Sequence, residues 1–545
     1  MRYDNGGDLL VAVLRELGID TVFGIVSVHN LPLVEAVDRE LRFVPVRHEA
    51  SAVNAADAYG RARGTIGCAL TSTGTGAGNA AGSLIEALSA GTSVLHITGQ
   101  VESEFLGSGR GFIHETKDQL GMLTAVSAHA ATVRSAGEAG RVLREAARAA
   151  LTAPGGPASV EWPIDLQYAA QTDTPVEYVP PPVPRPDDSE LDTAARLLAT
   201  ARRPVIWAGG GAGRARAELA GLLAATGAGL LTSNSGRGSV PEDHSQVIGN
   251  FATTPAARAL LADADVLLTV GTHFRSNETA DYTLELPAAH IQIDLDAAAL
   301  GRVYPVRGAL QGDAAAVLAE LLPHARAAEP AWTNRVAAVR AEVRATLHDS
   351  IGPQAAICDA IRAALPRRAV VARDVTIPSS SWGNRLLEMY DPRDNVFPRG
   401  GGIGQGLGMG IGAALARPED PAVVLAGDGG LAVHLGELLT LAQERPRLTL
   451  LVFNDGGYGV LRNMQDRYSE RRSGVDLVTP DFEQLAGACG LPYLRISAAG
   501  DARPLIAEAV ASDGPTLVEV DLAALGPMKN PFTPPVRIPG LSPAQ

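Results

Sequence analysis

Two stretches decide the fold: AVVLAGDGG (Ala422–Gly430) and LTLLVFNDGGYG (Leu448–Gly459). Each opens with an apolar run of strand length and ends in a glycine-rich turn that carries an acid. A helical stretch holding Glu437, Leu438 and Leu439 lies between them. Strand, helix and strand in this order read as a βαβ unit on a parallel sheet. Apolar character is near-continuous within each strand, as expected when both sheet faces are covered. If the two strands are neighbours, Asp428 and Asp455 converge on one cleft at the carboxyl ends of the strands, where open α/β sheets hold ligands. Gly427, Gly429, Gly430 and Gly457 would let a phosphate approach the backbone closely. Carboxylate oxygens with a backbone carbonyl make a hard-oxygen site suited to Mg²⁺, completed by phosphate oxygens and water. A lone GDG is usually only a turn, but here the two loops, their spacing and their strand context agree.

Outward from this core the same alternation recurs. Strands are predicted at Thr21–Ile25, Ile66–Thr71, Ser93–Thr98, Pro204–Ala208, Val266–Val270, His290–Ile293 and Ala369–Ala372, with Ala/Leu-rich helical stretches between. Two breaks interrupt it. Pro175–Pro186 (PVEYVPPPVPRP) can continue neither a helix nor a central strand and reads as an extended linker. Ala325–Gln354 turns charged and helical before Gly352 and Pro353. The expectation is an α/β chain of three doubly wound parallel-sheet domains, at about 1–170, 187–325 and 353–530, with a Pro-rich irregular tail at Asn530–Gln545.

Composition narrows the function. With 46 Lys+Arg against 60 Asp+Glu the net charge is −14, which argues against a nucleic-acid or anionic-membrane surface. The 545 residues are 46% hydrophobic and 19% charged, enough to bury several cores. Cys68, Cys358 and Cys489 are too few and too scattered for a disulfide framework or a metal site. No secretory leader and no apolar run of about 18 residues is evident, so a soluble cytoplasmic protein is expected. Gly209–Gly213 before a helix imitates a dinucleotide turn, but Arg214 stands where G-x-G-x-x-G needs its third glycine, so plain tight-turn glycines are the simpler reading.

GDG, 24 intervening residues, then N-D-x-x-Y-G resembles the signature of thiamine diphosphate (ThDP) decarboxylases and carboligases. The resemblance covers most of the chain. RHEA (Arg47–Ala50) with AADAYGR (Ala55–Arg61), and STGTGAGN (Ser72–Asn79), are similar to the pyrimidine-binding domain of acetolactate synthase, benzoylformate decarboxylase and benzaldehyde lyase relatives. Gly400–Ala414 looks like the glycine-rich turn and helix before GDG. The resemblance implies a pyrimidine-binding, a central and a diphosphate-binding domain in that order. It implies Asp428, Asp455 and the Gly457 carbonyl as Mg²⁺ ligands, although relatives often carry Asn at the position of Asp455. Gly427, Gly429, Gly430, Tyr458 and Asn79 would line the cofactor, and Ile403, 25 residues before Asp428, would prop it into a bent shape. Glu49 would bond the aminopyrimidine ring nitrogen and favour the tautomer that removes the thiazolium proton. In such enzymes Glu49 and the GDG loop belong to different chains, so a homodimer or homotetramer with active sites between chains is implied.

On the substrate side, His29 matches the G-x-x-x-x-H pattern of benzaldehyde lyase, and His114 takes the place of the glutamine in the acetolactate synthase F-Q-E-T stretch. Either could polarise a carbonyl or pass a proton. His48, His96 and His434 read as structural. Asn277 stands where acetolactate synthase has its carboxylate-binding arginine, with Arg275 two residues away as a possible substitute, and Met464 stands where it has tryptophan. These departures weigh against authentic acetolactate synthesis and against FAD, while leaving FAD open. The expected function is a ThDP- and Mg²⁺-dependent, acetolactate synthase-like enzyme: a 2-oxo acid is decarboxylated and the enamine passes to a proton or to a carbonyl acceptor, giving an acyloin. The alternative is an acyloin lyase or carboligase of benzaldehyde lyase type, acting without decarboxylation. A catalytically silent ThDP-binding subunit and a nucleotide-dependent oxidoreductase are the other classes weighed, opposed by intact Glu49 and by the misplaced glycine respectively.

Overall fold

The computed structural model describes residues 1–174 and 183–534; most of the expected linker (175–182) and the end of the tail (535–545) lie outside the described residues. Three six-stranded sheets, every one wholly parallel, follow each other along the chain. The first is built from β1 (Thr21–Gly24), β2 (Arg42–Pro45), β3 (Gly67–Thr71), β4 (Val94–Gln100), β5 (His129–Thr132) and β6 (Pro157–Pro163), in the order β2-β1-β3-β4-β6-β5. The second holds β7 (Pro204–Ala208), β8 (Gly229–Thr232), β9 (Val247–Gly249), β10 (Val266–Val270), β11 (His290–Asp294) and β12 (Gly308–Gln311), in the order β9-β8-β7-β10-β11-β12. The third holds β13 (Val370–Arg373), β14 (Asn395–Val396), β15 (Ala422–Gly427), β16 (Leu448–Asn454), β17 (Tyr493–Ile496) and β18 (Thr516–Asp521), ordered β14-β13-β15-β16-β18-β17. The expected α/β architecture of doubly wound sheets is therefore present.

The expected strands all appear, Pro204–Ala208 and Val266–Val270 with the expected ends and the others with ends shifted by one or two residues. Strand β6 begins and ends in proline yet lies inside its sheet, because both prolines occupy terminal positions where a missing N–H interrupts least. The charged stretch after the second sheet is the helix Pro330–Ser350. No described helix is long and apolar enough to cross a membrane.

Helix packing joins the first and third domains. Helix α1 (Glu49–Arg63) is rich in alanine, and α2 (Thr75–Ala90) follows β3; α3 (Gly406–Ala416) precedes β15 and is rich in glycine. Alanines of α1 and Met409, Ile411 and Ala413 of α3 share one buried apolar cluster. The helices approach so closely that a Cβ on Gly412 would stand 2.0 Å from the Ala55 carbonyl oxygen. Small side chains are the condition for that contact. Arg61, paired with Asp57 at 2.5 Å, also donates from Nη1 to the Phe397 carbonyl at 2.7 Å and tethers the two domains further.

Candidate active site

Strands β15 and β16 are direct neighbours, with Gly427 opposite Phe453, so their acidic turns emerge side by side. Asp428 is buried, and its carboxylate accepts the Gly457 N–H at 2.7 Å. Burial raises the Asp428 carboxyl above its ordinary range. Asp455 is pushed up to about 6, by burial first and then by the charge of Asp428, with Arg462 opposing. Two carboxyls whose ionisation is hindered, Asp428 by burial and Asp455 by burial and by the charge of Asp428, form a donor set that a divalent cation would relieve. The Gly457 carbonyl oxygen lies 3.0 Å from where a Cβ on Gly429 would stand, and the Tyr458 ring reaches 2.9 Å from the same point, so Gly429 has no room for a side chain. Among the described residues no three His, Cys, Asp or Glu side chains gather to hold a metal. A cation here would thus need the backbone carbonyl and oxygens from a bound phosphate. Arg462 clamps the turn from outside, donating to the Asp455 carbonyl at 3.0 Å and the Gly456 carbonyl at 3.1 Å.

Ile403 sits on the turn between Phe397 and α3 with 42% of its surface exposed. Two buried acids staple that turn. Asp374, just past β13, accepts the N–H groups of Gly404 and Gly406, each at 3.0 Å. Glu86 of α2 accepts those of Gly400 and Gly402. His434 meets the Gly404 carbonyl through Nδ1 at 2.8 Å, and its ring lies 4.9 Å from that of His48, which caps α1. Asp374 and Glu86 were not among the expected site residues. Asp374 had a signal, since it is an acid at the carboxyl end of a strand, like Asp428. Glu86 had none, because its partners are more than 300 residues away in sequence.

In the first domain, Glu49 is the first residue of α1 and accepts from the Asn79 side-chain amide at 3.0 Å. Its other oxygen lies 2.9 Å from where a Cβ on Gly76 would be, so that glycine lets α2 start against the carboxylate. His29 and His114, 85 residues apart, meet through their Nδ1 atoms at 3.3 Å. Burial, followed by the charge of His114, lowers the pKa of His29. His114 takes a positive φ of 66°, and its carbonyl would stand 2.4 Å from a Cβ on Gly74, which seats both histidines beside the Ser72–Asn79 loop. Gln119 fixes that loop by accepting the Gly74 N–H at 2.8 Å. His96 is a core residue, bonded to Thr71 and Ser159 and driven down to about 4 by burial.

The structure therefore assembles two half-sites: Glu49, Asn79, His29 and His114 on one domain, Asp428, Asp455, Gly457, Tyr458 and Ile403 on the other. Among the described residues no hydrogen bond or ion pair joins Glu49 to the Asp428 and Asp455 turns within one chain. Arg275 does not replace the arginine missing at Asn277, because its guanidinium donates to the Arg399 carbonyl and, at 2.6 Å, to the Ser89 carbonyl. The glycines of the second domain pack one loop on another: a Cβ on Gly209 would stand 2.1 Å from the Gly271 carbonyl.

Residues 4–122 match the family model described as thiamine pyrophosphate enzyme, N-terminal TPP binding domain; residues 191–321 match its central domain and 378–520 its C-terminal TPP binding domain. The chain is 34% identical over 493 residues to a probable 2-ketoarginine decarboxylase of Pseudomonas aeruginosa, covering 89% of this chain and 88% of the relative. It is 30% identical over 540 residues to the acetolactate synthase isozyme 2 large subunit of Escherichia coli, covering 96% of each. An acetolactate synthase of Mycobacterium bovis is 30% identical over 547 residues, covering 95% of this chain and 88% of the relative. With all three of its parallel-sheet domains matched in order, the chain belongs to the thiamine pyrophosphate enzyme family.

Proposed function

We propose that this protein is a ThDP- and Mg²⁺-dependent enzyme that decarboxylates a 2-oxo acid and delivers the remaining fragment to a proton or to a carbonyl acceptor. The observation that carries the reading is the pair of acidic turns in the matched C-terminal domain, where Asp428 accepts the Gly457 N–H and its charge raises the buried Asp455 carboxyl. When bound, the coenzyme supplies an electron sink for cleaving or forming a carbon–carbon bond next to a carbonyl. Asp428, Asp455 and Gly457 ligate Mg²⁺, while Gly427, Gly429 and Gly430 leave the backbone open to the diphosphate. Tyr458 closes over that turn and Ile403 supports the coenzyme from its stapled loop. Glu49, oriented by Asn79, holds a proton at the aminopyrimidine nitrogen. His29 and His114 move a proton at the substrate carbonyl.

A second chain completes the site in this reading. Val26, Val28, Ile85, Ile403, Val433 and Leu439 are each exposed on the single chain, apolar side chains that burial between subunits would remove from water. That arrangement lets Glu49 of one chain serve the metal loops of the other in a homodimer or homotetramer. The adjoining, buried His29 favours a second reading, an acyloin lyase that uses no decarboxylation. The relatives' names point to different donors, so the decisive experiment is a panel of 2-oxo acids and acyloins. Protein loaded with ThDP and Mg²⁺ is expected to release carbon dioxide from at least one 2-oxo acid. Cleavage of an acyloin with no carbon dioxide from any 2-oxo acid would replace the first reading by the second.

A further inference from the structure

Between the second and third domains lies a cavity of about 540 Å³, whose wall carries four arginines, Arg275, Arg373, Arg385 and Arg399, against two acids, Glu278 and Asp374. Counted as ionised, the wall carries 4 − 2 = +2. Both acids are already occupied: Asp374 by the backbone N–H groups of Val375, Gly404 and Gly406, and Glu278 by that of Asn234 at 2.7 Å. Gly400 and Gly401, which lead into Ile403, form part of the same wall, so the cavity adjoins the coenzyme-supporting turn.

Three of the arginines are committed to holding the fold. Arg275 donates to the Arg399 and Ser89 carbonyls. Arg373 donates to the Gly383 carbonyl and the side chains of Asn384 and Asn395. Arg399 donates to the Ala90 carbonyl at 3.1 Å, while its buried Nε, like that of Arg373, meets no partner. Arg385 differs. Its Nη1 donates to the carbonyls of Ser380 and Ser381 at 3.0 and 3.1 Å, and its remaining N–H groups meet no described partner. Burial and the charge of Arg237 bring its pKa down to about 10, with no acid to offset them. Beside it, the buried Ser379 hydroxyl also lacks a partner. Both residues come from one short stretch, the π-helical turn Ser379–Gly383 and its exit, a local geometry that recurs at functional sites.

A half-buried guanidinium on a cavity wall, with free N–H groups and no acid beside it, is matched by a carboxylate, which it binds through its planar fork. The carboxylate it takes is one that the reaction keeps. Pairing the departing carboxylate would stabilise the ground state more than the transition state, in which that charge has moved away, and would slow decarboxylation. We propose that this cavity receives the side chain of the donor and that Arg385 fixes a second, distal carboxylate, so the donor class is a dicarboxylic 2-oxo acid. A donor ending in a guanidinium would meet a wall of like charge. The proposal rests on the 2-oxo acid reading above and deepens it.

Calorimetry on the full-length protein with glutarate, butyrate and butylguanidinium as unreactive probes tests the pocket without turnover. Glutarate is expected to bind at least about tenfold tighter than butyrate, the ratio that one charge-assisted contact gives. Arg385→Leu should abolish that preference and Arg385→Lys should keep part of it, with ThDP affinity unchanged in both. In turnover, Arg385→Leu should lower kcat/KM for 2-oxoglutarate about tenfold through KM while leaving 2-oxobutyrate within about twofold. Equal binding of glutarate and butyrate, tighter binding of butylguanidinium, or a preference that survives in Arg385→Leu would overturn the proposal. So would a loss of ThDP affinity in Arg385→Leu and Arg385→Lys, which would mean that the anion is the coenzyme's own diphosphate. An Arg385-dependent glutarate preference without carbon dioxide from any 2-oxo acid would uphold the pocket and overturn the decarboxylation reading.

Discussion

The first and third domains carry their strands in the same spatial order, and their site residues sit at matching places. Counting strands within each domain, the end of the first leads to His29 in one and Asp374 in the other. The second leads to Glu49 in one and Ile403 in the other. The third leads to the Ser72–Asn79 loop in one and to Asp428 in the other. One scaffold thus presents two chemistries. In the first domain the loops are filled by side chains that bond one another: Glu49 to Asn79, His29 to His114, Gln119 to Gly74. In the third, glycines keep side chains away from two acids, and the backbone and carboxyl oxygens of those turns are the ones proposed above to hold a ligand. The second domain, ordered β9-β8-β7-β10-β11-β12, has the arrangement known from dinucleotide folds, without their third glycine. Strand order therefore sets where a site lies, and loop composition sets what it can hold.

If the two half-sites divide the work in this way, variants on either side should fail differently. Asp428→Ala should weaken ThDP binding by at least about 100-fold in the presence of Mg²⁺, more than the loss of an outer-shell metal partner; calorimetric titration checks it, and unchanged affinity would break the division. Glu49→Gln should leave that affinity nearly intact and lower kcat about 10²- to 10⁴-fold, the range of a lost proton-transfer group. Steady-state kinetics together with the same titration separates the two outcomes. Gly412→Ala acts on the contact between the domains. The added methyl meets the Ala55 carbonyl, and about 1–3 kcal/mol of stability should be lost by overpacking, read as a lower Tm in calorimetry.

The smallest effect concerns the paired histidines. His29 holds its proton less firmly than a free imidazole, first by burial and then by repulsion from His114. Its folded-state pKa is thus depressed, so the neutral ring favours the folded state above the ordinary histidine pKa, and that contribution is lost as pH falls below it. His114→Ala removes the repulsion and should raise the His29 pKa part of the way back, with burial keeping it below normal. Titration of histidine ring resonances by NMR measures the shift, and a downward move would contradict the geometry.

Much of the third domain could be read from sequence because its site is local. Strand, turn and acid are contiguous at Gly427–Gly430 and at Asn454–Gly459, and the strands are apolar throughout. What escaped was built by distance. Glu86 works on backbone N–H groups of a turn in another domain, and such groups leave no residue type to notice. The meeting of His29 with His114 depends on a left-handed residue at 114, which a histidine does not announce. Arg275 looked available because it stands two residues from Asn277; the carbonyls that occupy it come from helix α2, at Ser89, and from Arg399 in the third domain. The shared strand order of the outer domains was hidden for a related reason, since alternation of strands and helices fixes parallelism but not which strands become neighbours.

Helix α2 begins against Glu49, at Gly76 and Asn79, and seven residues beyond Asn79 its Glu86 grips Gly400 and Gly402. Those seven residues span about 10 Å of helix. A graft exchanging the N-terminal domain for that of another family member would therefore have to bring a carboxylate at position 86 with the correct phasing, or the loop bearing Ile403 would lose an anchor although every residue of the third domain was unchanged.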